Sequence, residues 1–148
     1  PSVVDDPDDL AARSLALAGA VLGGRCLQNA SMGVHHGLAQ LVGGRTGIPH
    51  GLANAMILAA AIRFNAEAVP REVRLIGRAL GDPDDPARAV GRLRERLGLP
   101  AGLSECGVTD EDLDVIARMA PGNRNVQANP RPVSEDEARA ILEDAAGP

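Results

Sequence analysis

An all-α fold is what this sequence predicts, and three observations carry it. No stretch alternates apolar and polar residues long enough to make a strand. Each apolar segment with helical spacing is bounded by its own start and stop residues. The third observation is compositional: hydrophobic residues make up 45% of the chain but aromatics only 1%, a single Phe with no Trp or Tyr. A core built from Ala, Leu, Val and Ile suits close helix contacts and is a poor material for a β-sandwich. At 148 residues the chain has the length of one domain, or of one lobe of a larger protein, and residues 1–148 are read as a single helical domain of about seven helices.

The first helix is announced by Asp6-Pro7-Asp8-Asp9, with Asp6 as the cap and Pro7 in the first turn. Asp8 and Asp9 then face the positive end of the helix dipole. Leu10, Ser14, Leu17 and Val21 fall on one stripe, and the pattern leaves open whether the helix breaks at Gly23-Gly24 or runs on towards Asn29. A second helix is expected over about Met32 to Val42, ended by residues 43–49, GGRTGIP, read as a turn. A third starts near His50 and runs to about Ala66; it is apolar nearly all round, which predicts a buried central helix. Pro70 opens a fourth helix, closed by Gly81, and Asp85-Pro86 opens a fifth, closed by Gly98. Thr109 with Asp112 and Ser134 with Glu137 are capping-box patterns for the last two. Between those two lies an irregular loop rich in Asn and Pro, residues 121–133.

The totals exclude several functions. The formal charge is −5 and no basic stripe appears, so nucleic acid is not the expected partner. The run Ala53 to Ile62 is too short to span a bilayer, the acidic start is not a signal peptide, and a cytoplasmic protein with no membrane partner is expected. Cys26 and Cys106 lie far apart in no metal-like spacing and read as two reduced, buried thiols. No glycine-rich phosphate loop follows a strand, so the segment holds no nucleotide site of that kind.

Chemistry concentrates between Met32 and Asn65, which holds all three histidines: His35, His36 and His50. Successive helical residues turn by about 100°, so His35 and His36 aim at different points. His36 and Gln40 share a face, where Gln40 is a candidate to position substrate or water. A helix, a Gly/Pro turn and a second helix let His36 and His50 converge, and imidazole nitrogens are good ligands for Fe²⁺ or Zn²⁺. Against this stands the commoner fate of a histidine near an apolar segment, a hydrogen bond in the core. Two histidines also make only part of a coordination set, since catalytic sites use three or four protein ligands.

The block GVHHGLAQLVGGRTGIPHGLANAMILAAAIRFN resembles the signature region of the iron-containing (group III) alcohol dehydrogenase family, in which a glycine pair, Pro-His-Gly and a helix ending Arg-(Phe/Tyr)-Asn follow the first histidine. The pair His35-His36 and the tail NPRPVSEDEARAILEDA are similar to its maleylacetate reductase branch. The resemblance implies that His36 and His50 are the two metal-ligand histidines, with Fe²⁺ or Zn²⁺ as the metal. It also implies a helical lobe partnered by an N-terminal nucleotide-binding lobe that holds NAD(P)H, in an enzyme expected to be a homodimer. The family's other ligands, an Asp and a His four residues apart on a preceding helix, have no match here, so the first metal-binding helix is expected to lie outside this chain.

Two departures stand out. Gln40 occupies a position where the family usually has His, and Leu58-Ala59-Ala60 replaces a common Leu-Pro-His. The function implied is reduction of maleylacetate to 3-oxoadipate, with a general alcohol dehydrogenase or a non-catalytic helical module as alternatives. Some reductases of this branch work without tightly held metal, in which case His36 and His50 bind substrate. His35 and Gln40 are the catalytic candidates, His35 beside the substrate, and Arg45 is a weaker candidate for a substrate carboxylate. The chain alone is expected to be inactive.

Overall fold

The computed structural model describes residues 2–147, and among them every regular element is a helix. The chain falls into two compact units, residues 1–31 and 32–148.

The first unit holds α1 (Ser2–Asp5) and α2 (Leu10–Asn29). Asp9, not Asp6, caps α2: its carboxylate accepts the backbone N–H groups of Ala11 and Ala12. Asp6 instead accepts from the backbone N–H of Asp8 in the link between the helices, and Pro7 sits in that link rather than in a helical first turn. The residue directly before the apolar stretch reaches more of the orphan N–H groups, which is why it takes the cap. α2 runs through Gly23 and Gly24 without a break. Of its residues only Ala12 is buried; Leu10, Leu15, Leu17, Val21, Leu22 and Leu27 are exposed. The predicted stripe is therefore apolar surface. α2, and not the run at 53–62, is long and apolar enough to cross a membrane by length and composition, a test that core helices of soluble proteins also pass. Cys26 is exposed on it, contrary to the expectation of a buried thiol.

The second unit is built on α4 (His50–Asn65), as its apolar sequence predicts. Ala53, Met56, Ile57 and Ala59 to Ile62 are buried, each large side chain contributing about 1.5–3 kcal/mol. α3 (Val34–Thr46), α6 (Pro86–Arg96) and α9 (Glu135–Ala146) pack directly on it, α5 (Pro70–Leu80) packs on α6, and α7 (Asp110–Met119) joins α3 and α9. Leu38, Val42, Met56, Ile57, Leu103, Ile116 and Leu142 fill the space between these helices. Phe64, the lone aromatic, stays at the edge, with the Arg131 guanidinium 4.1 Å above its ring.

Both capping boxes form as read, Thr109 with Asp112 and Ser134 with Glu137. The Pro70 and Pro86 starts and the Gly81 and Gly98 stops also hold. α3 departs from expectation. It continues through Gly43 and Gly44 to Thr46, and the turn shrinks to Gly47-Ile48-Pro49. A helical glycine costs only about 1 kcal/mol, which packing of the α3 face outweighs; only Gly47, at φ 76°, takes the left-handed conformation that ends the helix. The loop at 121–133 likewise holds a short helix, α8 (Arg124–Gln127), capped by Asn123. With α1 this raises the helix number from about seven to nine among the described residues.

Candidate metal centre

The α3–α4 turn sets the histidines. Gly47 closes α3 by donating its N–H to the Gly43 carbonyl, and Pro49 leads directly into His50, the first residue of α4. The chain returns so that the rings of His36 and His50 meet edge to face, with centroids 5.0 Å apart and planes at 85°. That separation suits one shared ion. A nitrogen about 2.1 Å from a zinc-like ion puts the ion about 3.2 Å from the ring centre, and a tetrahedral angle between two such rings separates their centres by about 5 Å. His36 is half-buried and His50 exposed, so the pair opens to solvent on one side. Burial, and then the neighbouring His50, holds the His36 imidazole below the usual histidine range, which favours the neutral form a ligand needs. Among the described residues no third Asp, Glu, His or Cys joins the two.

His35 points elsewhere. Its Nε2–H donates to the backbone carbonyl of Asn54 at 2.9 Å, and the Asn54 side-chain amide donates to the carbonyl of His50 at 2.7 Å. Burial pushes the His35 ring well toward its neutral form, opposed by that hydrogen bond and aided by the charges of His36 and His50.

Gln40 lies one turn beyond His36, and its Oε1 accepts a 2.8 Å hydrogen bond from the Asn125 side chain on α8. Its Nε2 carries the donors left for a ligand. Arg45, in the last turn of α3 rather than in the turn, donates from Nε to Asp112 at 2.8 Å, which with Thr109 holds the Asp112 carboxyl below the usual carboxylate range. A cleft of about 450 Å³ between α4, α6 and the end of α9 holds none of the histidines. Its arginines Arg88 and Arg92 are answered by Asp82 and Arg63 by Asp144, so it is not where histidine chemistry takes place.

Asn129 was not legible as a site residue. Its Oδ1 accepts from the Val34 backbone N–H at 3.1 Å and from Asn65 at 3.1 Å, while its Nδ2 donates to Asn65 at 2.8 Å and to the Arg131 carbonyl at 2.9 Å. It thereby fixes the start of α3, two residues before His36, to the end of α4. Gly33 leaves room for it: a Cβ there would lie 2.9 Å from the Asn129 oxygen. An Asn flanked by proline in a polar loop carries no sequence signal for a partner 95 positions away.

Residues 1–146 match the model of the Fe-containing alcohol dehydrogenase family, C-terminal. A maleylacetate reductase of Burkholderia cepacia is 40% identical over 140 residues, 95% of this chain and 39% of that protein. The crystal structure of maleylacetate reductase from Rhizobium sp. strain MTP-10005 superimposes on all of this chain and 42% of its own, with a TM-score of 0.87 and 34% identity. A putative alcohol dehydrogenase from Ralstonia eutropha JMP134 gives a TM-score of 0.90 at 38% identity, over 98% of this chain and 41% of that one. The chain thus spans about two-fifths of the length of these relatives.

Proposed function

The chain belongs to the Fe-containing alcohol dehydrogenase family, as its C-terminal part, and from that premise we propose that it is the helical lobe of an NAD(P)H-dependent reductase acting on maleylacetate. The observation that carries the reading is the edge-to-face pair of His36 and His50, which fits two of the ligands of a single divalent ion. The remaining ligands belong to a helix that precedes this segment, and the nicotinamide site to the N-terminal lobe, of a full-length, cytoplasmic, homodimeric enzyme. The substrate class rests on relatives that carry the name maleylacetate reductase.

In this reading a double bond conjugated with a ketone takes up hydride and one proton, giving 3-oxoadipate. When bound, the ion supplies Lewis acidity to the substrate oxygen and the nicotinamide supplies the hydride. The residues of this chain prepare the place. His36 and His50 would lend their ring nitrogens to one ion. Gln40, held by Asn125, offers an amide N–H to a substrate carboxylate but has no proton to exchange near neutral pH. Asn129 and Asn65 keep the two histidine-bearing helices in register.

The test is made on the full-length enzyme. His36→Ala and His50→Ala are each expected to lose metal, by elemental analysis, together with maleylacetate-dependent NAD(P)H oxidation. Full metal and full rate in both variants would place the site elsewhere.

A further inference from the structure

His50 opens its helix directly after a three-residue turn that contains a left-handed glycine, and it is exposed. Little inside that turn fixes the ring: Thr46 Oγ1 lies 3.5 Å from the Ile48 N–H, and Pro49 accepts from Leu52 and Ala53. A swing of the first turn of α4 about Gly47 would carry His50 away from His36. What opposes that swing comes from α3. His35 follows Val34, whose N–H Asn129 holds, and its ring sits about 100° around the helix from that of His36. It reaches the carbonyl of Asn54, one turn beyond His50. Asn54 then closes the path onto the carbonyl of His50 itself.

We propose that His35 is a positioning residue, which fixes the separation of His36 and His50 by tying α3 to α4 through the Asn54 carbonyl. The inference rests on reading His36 and His50 as metal ligands, but the clamp is a property of this chain's own hydrogen bonds. A carbonyl only accepts, so the proton sits on Nε2; the ring works as a donor bridge between two helices. Groups that hydrogen-bond the ligands themselves commonly change metal affinity by about 10–100-fold when removed; His35 acts through Asn54, which sets the lower end of that range.

The experiment uses the full-length enzyme with His35→Ala, His35→Gln and Asn54→Ala. Gln is chosen because its amide N–H reaches about as far as imidazole Nε2 and has no pKa near neutrality. Metal affinity is read by chelator competition, and amide hydrogen exchange is read across residues 50–56. His35→Ala is expected to weaken metal binding by about 10-fold, with turnover restored by excess metal. It is also expected to speed exchange in the first turn of α4 by roughly tenfold, as local opening becomes easier. His35→Gln should stay near wild type on both measures, and Asn54→Ala should fall between. Unchanged exchange in His35→Ala overturns the proposal. So does His35→Gln as slow as His35→Ala at saturating metal with one limb of the pH–rate profile missing, because that outcome makes His35 a proton donor. If the wild-type enzyme holds no metal, the ligand reading of His36 and His50 fails by itself and the exchange measurement alone decides the clamp.

Discussion

Gly37, the neighbour of His36, is where the packing of the site is tightest. A Cβ placed on it would lie 2.6 Å from Val126 Cγ2, 3.1 Å from the Val126 backbone nitrogen and 3.1 Å from Asn123 Oδ1. Ordinary carbon contacts fall near 3.5–4.0 Å, so Gly37→Ala requires α3 and α8 to separate by about 1 Å. The obstacles yield poorly. Val126 is β-branched and buried, and the Asn123 oxygen is committed to the N-terminus of α8, accepting from Asn125 and Val126. Overpacking of this kind costs about 1–3 kcal/mol, and a backbone obstacle argues for the upper half of that range. Alanine returns about 1 kcal/mol of helix propensity. The balance is a loss of about 1–2 kcal/mol, which lowers a urea midpoint by about 0.5–1 M. Gly44 is the internal control: it lies on the same helix, with nothing within 4 Å of its would-be Cβ. There the propensity gain acts alone, and Gly44→Ala should raise the midpoint. Two parallel urea titrations followed by circular dichroism check the pair. If Gly37→Ala stabilises as much as Gly44→Ala, α3 and α8 do not approach as closely as argued.

Other expectations follow from the same geometry. Asn129→Ala removes four hydrogen bonds and leaves the Val34 N–H without its acceptor; thermal unfolding should show a loss of about 1–3 kcal/mol, and Asn65→Ala should add little to it in a double-mutant cycle. Burial depresses His35 and His36, so below about pH 6.5 the unfolded chain takes up their protons first. Stability is therefore present above that pH and lost as pH falls toward the depressed native values; urea midpoints from pH 7.5 to 5 should decline, with a shallower slope in His35→Gln. Asp112→Ala should lower the melting temperature more than Arg45→Ala, because Asp112 closes the capping box with Thr109 as well as pairing with Arg45. Calorimetry on the 148-residue chain alone should find no micromolar binding of NADH or NADPH.

The starts and stops that sequence reveals are those whose whole cause fits within four residues. The capping boxes at Thr109 and Ser134 and the proline starts at Pro70 and Pro86 belong to this class, because cap, donor and acceptor are all local. Asp6 and Asp9 satisfy the same local rule, and only the number of N–H groups each can reach separates them. The end of α3 was misplaced for a different reason. Glycine is a weak helix breaker, and what keeps residues 43–46 helical is the burial of Val42 on one side and the Arg45–Asp112 pair on the other. The ion pair depends on a residue 67 positions away in α7.

The site divides along the same line. The convergence of His36 and His50 was legible because it needs only two short helices and a turn, and the resemblance implied the same pair as ligands. What holds the pair at 5.0 Å was not legible, because its parts lie 19, 64, 85 and 95 positions apart: His35 on Asn54, Asn65 on Asn129, Gln40 on Asn125, and Val34 on Asn129. Three of these four contacts use an asparagine side chain, and the fourth an asparagine carbonyl. Asparagine offers an acceptor and two donors on a short, uncharged stem, so it joins helices without the desolvation cost of a buried charge. That choice matters most at Asn129, which both accepts and donates. A carboxylate in its place would lack the N–H groups that reach Asn65 and the Arg131 carbonyl, whereas an amide supplies both roles without a charge. The asparagines of the 121–133 loop, which in sequence look like an irregular connection, thus tie both ends of the histidine-bearing stretch, α3 and the end of α4, to one loop.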